Sequence, residues 1–138
     1  MHLVIRTDGG SRGNPGPAGI GVVIENEKGK VLEEHAKFLG VKTNNQAEYE
    51  AVILGLERAK HLEAESVQVL ADSELLVKQA NGQYKVKHVN MKPLFAKMQR
   101  LIQQIGHVSF KHVRREQNES ADALANRAMD QGMGREEM

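Results

Sequence analysis

Only four aspartates occur in the 138 residues, against fourteen glutamates. They are Asp8, Asp72, Asp122 and Asp130, and the first two each directly follow a short apolar strand pattern, 2–7 and 66–71. In α/β sheets functional groups gather where strands end. If those two strands are parallel neighbours, the carboxylates of Asp8 and Asp72 lie side by side. Asp122 falls within ADALANRA, a helical pattern in which Asp is a poor helix former. Glu48 falls early in another helical run, on a stripe shared with Val52, Gly55 and Ala59 that should face the sheet. Each has an ordinary alternative. Asp8 can be a turn residue and Asp72 a helix cap; Glu48 and Asp122 can favour helix N-termini through the dipole. Four carboxylates converging without cations repel one another, and their pKa values rise. Their economical use is to bind hard cations through oxygen. A pair of Mg²⁺ ions about 3.5–4 Å apart can activate water and stabilise the leaving oxygen of a phosphodiester.

The elements that must position them follow from the hydropathy pattern. Residues 2–7 read as a strand. A Gly- and Pro-rich connection, TDGGSRGNPGPAG, leads into GIGVVIEN over 19–26. A turn at Glu27, Lys28 and Gly29 returns the chain as a strand over 30–39. Thr43 or Asn44 caps a helix that runs through NNQAEYEAVILGLERAKHL, with Ala47, Ala51 and Leu54 on one face. A strand over 66–71 precedes a helix over 73–80 that Asn81-Gly82 breaks. Asn90 opens a helix to about Gln104, with Pro93 in its first turn. A strand over 107–113 and a helix over 118–131 complete the order βββαβααβα. This pattern predicts one α/β domain over 1–131. The first three strands form an antiparallel meander, and the helices cover a mixed sheet. The tail, 132–138, is expected to be mobile.

Composition narrows the chemistry. With no cysteine there is neither a disulfide framework nor a thiolate metal site, which fits a reducing compartment. No apolar stretch approaches the roughly 20 residues of a membrane span, and the N-terminus carries no pattern of a secretion signal. A cytoplasmic location is the expectation. Net charge is only +1, but Leu75 to Arg115 contains nine cations and no acid. The remainder holds ten cations against all eighteen acids. The basic span reads either as a solvated Lys-rich face or as an anion-binding surface, for which nucleic acid is the usual partner. A nucleotide-binding loop fits poorly, because no GxxxxGK[ST] is present and the Gly-rich stretch leads into a strand.

Four stretches, TDGGSRGNPGPAGIG, TNNQAEYEA, ADSELLV and NESADALANRA, resemble ribonuclease H, type 1, in order and spacing. The resemblance runs from about Leu3 to Ala128. It implies a five-stranded mixed sheet with the fourth and fifth strands parallel to the first. It implies cleavage of the RNA strand of RNA–DNA hybrids with two Mg²⁺ or Mn²⁺ ions, leaving 3′-hydroxyl and 5′-phosphate ends. By motif, Asp8, Glu48, Asp72 and Asp122 resemble the family's metal-binding quartet. One ion would be held by Asp8 and Asp122, the other by Asp8, Glu48 and Asp72. Gly9, Gly10, Ser11, Asn14, Asn44, Asn45 and Ser73 match substrate-contacting positions. Hybrid selectivity would come from contacts to 2′-hydroxyls.

Three departures stand out. Glu74 replaces a familiar glutamine, which puts that contact in doubt. HVRREQNESAD leaves little room for the His-bearing loop of many members. His112 then belongs to the strand. Arg115 resembles the replacement for that loop, to steady the scissile phosphate or help product leave, or else to position phosphate only. Only NGQYKVKHVNMKP joins two helices where many bacterial members carry a long basic protrusion. Lys85, Lys87 and His88 would be its reduced form, with weaker hybrid binding and a shallower salt slope. Two rivals share the fold: an inactive hybrid-binding module, which would not need all four carboxylates, and a nuclease acting on DNA. No protein partner is implied, and a monomer is expected.

Overall fold

In the computed structural model, residues 1–134 are described. The first strand, β1 (His2–Ser11), pairs antiparallel with β2 (Gly16–Glu25), and β2 pairs antiparallel with β3 (Val31–Lys42). On the other side of β1, β4 (Ser66–Ala71) runs parallel to it, and β5 (His107–His112) runs parallel to β4. The sheet order is β3-β2-β1-β4-β5, the mixed sheet that the element order predicts. Four helices surround it: α1 (Asn44–His61), α2 (Glu74–Ala80), α3 (Lys92–Ile105) and α4 (Glu119–Gly132). The expected tail begins inside α4, and residues 135–138 lie outside the described residues.

The Gly-rich stretch departs from its sequence reading. It is mostly strand, with only Arg12 to Pro15 as the turn. Glycines have no side chain with which to show a two-residue period, so the sequence hides the extension. Asp8 therefore does not end β1; it pairs with Gly21 of β2 inside a ladder that continues to Ser11. What ends there is the pairing with β4, whose last pair is Thr7 with Ala71. Asp8 and Asp72 are thus the first residues past the end of the parallel ladder.

Alternation along β1 sends Leu3, Ile5, Thr7 and Gly9 to a buried face. That face meets α1, where Gly55 lies over Ile5. The α1 helix is buried almost all round, through Tyr49, Val52, Ile53 and Leu56 as well as Ala47 and Ala51, because α3 packs on its outer side. Leu54, placed on the core face by spacing, is only partly buried. Thr43 caps α1 with a capping box: its side chain accepts from the Gln46 amide, and the Gln46 side chain accepts from the Thr43 amide. The edge strand β3 is tied to α1 by Arg58, whose Nε and Nη2 donate to the two carboxylate oxygens of Glu33 at 2.8 Å each. The opposite face of β1, β2 and β3 is covered by α4.

Candidate active site

Two glycines beside Asp8 bring the helices onto the sheet. Gly9, its neighbour along the chain, lies so close to α1 that a Cβ there would sit 2.4 Å from the Ala47 carbonyl and 2.7 Å from the Glu48 nitrogen. Gly21, its partner across the ladder, lies under α4, where a Cβ would sit 2.1 Å from the Ala121 carbonyl oxygen. Real Cβ atoms do not approach that closely, so each glycine is what lets its helix descend. Glu48 and Asp122, the residues that follow Ala47 and Ala121, are delivered to Asp8 from opposite faces of the sheet. The bareness of Gly9 thus serves the approach of α1, and Gly9 is buried. Gly9, expected to contact substrate, also lines the carboxylate cavity.

Asp72 is free for the site because Ser73 does the capping. The Ser73 hydroxyl accepts from the Leu76 amide at 3.2 Å. The helix-cap alternative for Asp72 is thereby removed. Asp8, Glu48, Asp72 and Asp122 line one cavity of about 660 Å³ together with Gly9, Gly10, Ser11, Asn44 and Arg115.

The electrostatics record the crowding. Burial raises the Asp8 carboxyl well above its ordinary value, and Asp72, Asp122 and Glu48 push the same way. Burial lifts Glu48 to about 7, against the lowering effect of Ser73. Asp72 is raised too, chiefly by burial, while Arg115 pulls it back. Among the described residues no three acidic or histidine side chains stand in a ready coordination shell. Asp8, Glu48 and Asp72 are instead crowded and desolvated at a common cavity that Asp122 also lines. An all-oxygen donor set short of positive charge fits a hard divalent cation.

The remaining expectations sort by place. Arg115 is exposed, with Nη2 3.6 Å from Asp122 Oδ1. It sits on a short 3₁₀ turn, Arg115–Gln117, that joins β5 to α4 with no room for a loop. His112 lies in β5 at the cavity wall. Ser11, Asn14 and Asn44 bind one another: the Ser11 amide donates to Asn44 Oδ1 at 2.8 Å, and the Asn44 amide donates to Asn14 Oδ1 at 3.0 Å. Asn14 and Asn45 line a second, smaller hollow with Thr43 and His88. Lys85 and Lys87 are exposed beside Leu75 and Tyr84 and do not line the carboxylate cavity. Of the nine cations in the basic span, Lys78, Lys97 and Arg115 have carboxylate partners. Glu74 is the partner of Lys78, at 2.7 Å.

Two residues that sequence reasoning did not place in the site hold it together. Asn118 stands where a helix cap belongs, yet its side chain caps nothing. It turns inward, fully buried, and Nδ2 donates to the Thr7 carbonyl at 2.8 Å. Its own carbonyl accepts from the Asp122 amide at 3.0 Å. One residue therefore links the backbone just before Asp8 to that of Asp122, and its Oδ1 is left without a protein donor among the described residues. Arg12, in the turn after β1, reaches Asn126 and Asp130 of α4. A polar residue at a helix start is the only signal for the first, and nothing local signals the second.

A family model described as reverse transcriptase-like matches residues 6–128. The bifunctional protein Rv2228c of Mycobacterium tuberculosis is 46% identical over 131 residues, covering 94% of this chain and 36% of that protein. A ribonuclease H of Polaromonas naphthalenivorans is 33% identical, covering 98% of this chain and 91% of its own. Among solved structures, LC11-RNase H1 in complex with RNA/DNA hybrid superposes with a TM-score of 0.91 at 46% identity, covering 95% of this chain and 99% of that one. The chain spans about a third of the length of the first curated relatives it matches.

Proposed function

From the premise that this chain belongs to the ribonuclease H family, type 1, we propose that it is an endoribonuclease. It hydrolyses the RNA strand of RNA–DNA hybrids and leaves 5′-phosphate and 3′-hydroxyl ends. The observation that carries the reading is the convergence of Asp8, Glu48, Asp72 and Asp122 on one cavity with pKa values raised at three of them. An inactive binding module would have no use for that repulsion.

Asp8 is central, because Asp72, Asp122 and Glu48 all act to raise its pKa. The four carboxylates would hold two Mg²⁺ or Mn²⁺ ions. When bound, such ions supply the charge that activates water and stabilises the leaving 3′-oxygen. Ser73 lies beside Glu48 and favours its charged form. The Ser11, Asn14 and Asn44 cluster, with Gly10 and Asn45, forms the wall on which 2′-hydroxyls of the RNA strand would be read. Arg115, exposed beside Asp122, would meet a phosphate of that strand. Lys85 and Lys87 would add backbone attraction further out. The protein would act as a monomer in the cytoplasm; among the described residues no helix is long and apolar enough to cross a membrane.

The test is cleavage of labelled hybrid, duplex RNA and duplex DNA with Mg²⁺, Mn²⁺ or chelator. Hybrid alone should be cut, and Asp8→Asn should abolish cleavage while hybrid binding persists. Undiminished turnover in that variant would sink the assignment.

A further inference from the structure

The turn between β1 and β2 is bonded to helices on both faces of the sheet. On the α1 side lie the bonds among Ser11, Asn14 and Asn44. On the α4 side, Arg12 Nη1 donates to Asp130 Oδ1 and lies 3.7 Å from the Met133 sulfur, and Nη2 donates to Asn126 Oδ1 at 3.3 Å. Asn126 in turn donates from Nδ2 to the Asp122 carbonyl at 3.0 Å. Asp122, Asn126 and Asp130 are spaced by four, so they form one stripe along α4. Arg115 meets the stripe at the Asp122 end and Arg12 at the other. Arg12, Asn126 and Asp122 line the same cavity as the other carboxylates.

We infer that Arg12 is a positioning residue for hybrid cleavage. By gripping Asn126 and Asp130 it fixes the α4 face that carries Asp122 against the turn that carries Asn14. The wall that holds the cations and the wall that grips the RNA strand then keep one spacing. This inference rests on the proposed hybrid-cleaving function. A guanidinium suits the task because its planar fork reaches two acceptors one helical turn apart. Asp130 keeps that fork turned toward the helix and away from incoming phosphate.

The experiment compares Arg12→Ala, Asp130→Asn, the double variant and Arg12→Lys. The readouts are kcat and KM on labelled hybrid, the salt slope of hybrid binding, and the unfolding midpoint with and without Mg²⁺. The expected result is a kcat reduced about tenfold in either single variant at temperatures where both are folded, with KM moved less than about twofold. The double variant should be no worse than the worse single one, since the pair acts as a unit. Arg12→Lys should recover part of the loss, and the Mg²⁺-induced rise in midpoint should shrink in step with kcat. The inference is overturned if Arg12→Ala raises KM and flattens the salt slope by about one while Asp130→Asn does not, because Arg12 is then a phosphate contact. It is equally overturned if the midpoint falls with kcat intact, because the grip is then a structural brace alone. If the parent protein cuts no hybrid, the proposed function fails instead. The Mg²⁺-induced midpoint shifts then still report whether Arg12 and Asp130 act as one on the carboxylate wall.

Discussion

Removing the charge of Glu48 should abolish activity and stabilise the cation-free protein. A carboxyl whose pKa rises on folding binds its proton more tightly in the folded state. Below about pH 4.5 Glu48 is protonated in both states and costs nothing. The penalty grows as pH rises from 4.5 toward about 7, and it is complete above that. A rise from 4.5 to about 7 corresponds to about 3 kcal/mol, at about 1.4 kcal/mol per tenfold change. Glu48→Gln keeps the shape and a partner for Ser73 but never ionises. For a domain of this size it should raise the midpoint at pH 8 by about 10 °C and leave it almost unchanged at pH 4.5. The assay is thermal unfolding in chelator at both pH values, repeated with Mg²⁺. Added Mg²⁺ should close most of the gap by stabilising the parent more than the variant. An equal gain at both pH values would refute the reasoning, since charge would not be its source. So would no gain at pH 8.

Three further outcomes test the framework around the site. Gly21→Ala should lift α4 from β2, costing about 3 kcal/mol and lowering kcat more than hybrid affinity, as read by denaturant unfolding and single-turnover cleavage. Asn118→Leu removes the buried, unpartnered oxygen as well as the donor to Thr7, so stability should change by less than about 2 kcal/mol; kcat should still fall, because Asp122 loses its tie to β1. Glu33→Gln should lower the midpoint at pH 7, because the Arg58 hydrogen bonds hold Glu33 down at about 2. That difference should fade as acid titration passes from about pH 4.5 toward 2, where the parent loses the same charge.

The site was legible to the extent that its chemistry is carried by residue type at element ends. Asp8 and Asp72 follow apolar runs, and the parallel pairing of β1 with β4 sets them side by side. Glu48 and Asp122 were legible as carboxylates in helical patterns, although nothing local says how near a helix can come to a sheet. That distance is set by Gly9, which lies in a turn-like stretch, and by Gly21, whose strand pattern carries no sign of the helix above it. That Ser73 and not Asp72 caps α2 was likewise not legible, since both residue types cap well. Arg12 and Asn118 were invisible because their partners lie more than a hundred residues away in the chain. The exposed lysines were legible as charge, but their distance from the cavity was not.

The four carboxylates do not rest on equally durable ground. Asp8 lies inside a ladder, Glu48 in the second turn of an 18-residue helix with a capping box, and Asp72 at the end of a central strand. Asp122 alone stands in the first turn of a helix whose N-terminus has no side-chain cap and follows a three-residue 3₁₀ turn. Fraying at a helix start takes far less free energy than global unfolding. Amide protons from Arg115 to Asp122 should therefore exchange with solvent long before those of β1. Cations held by the carboxylates, Asp122 among them, would slow that exchange selectively, so the loading of the site could be followed at one helix end while the rest of the sheet stays silent.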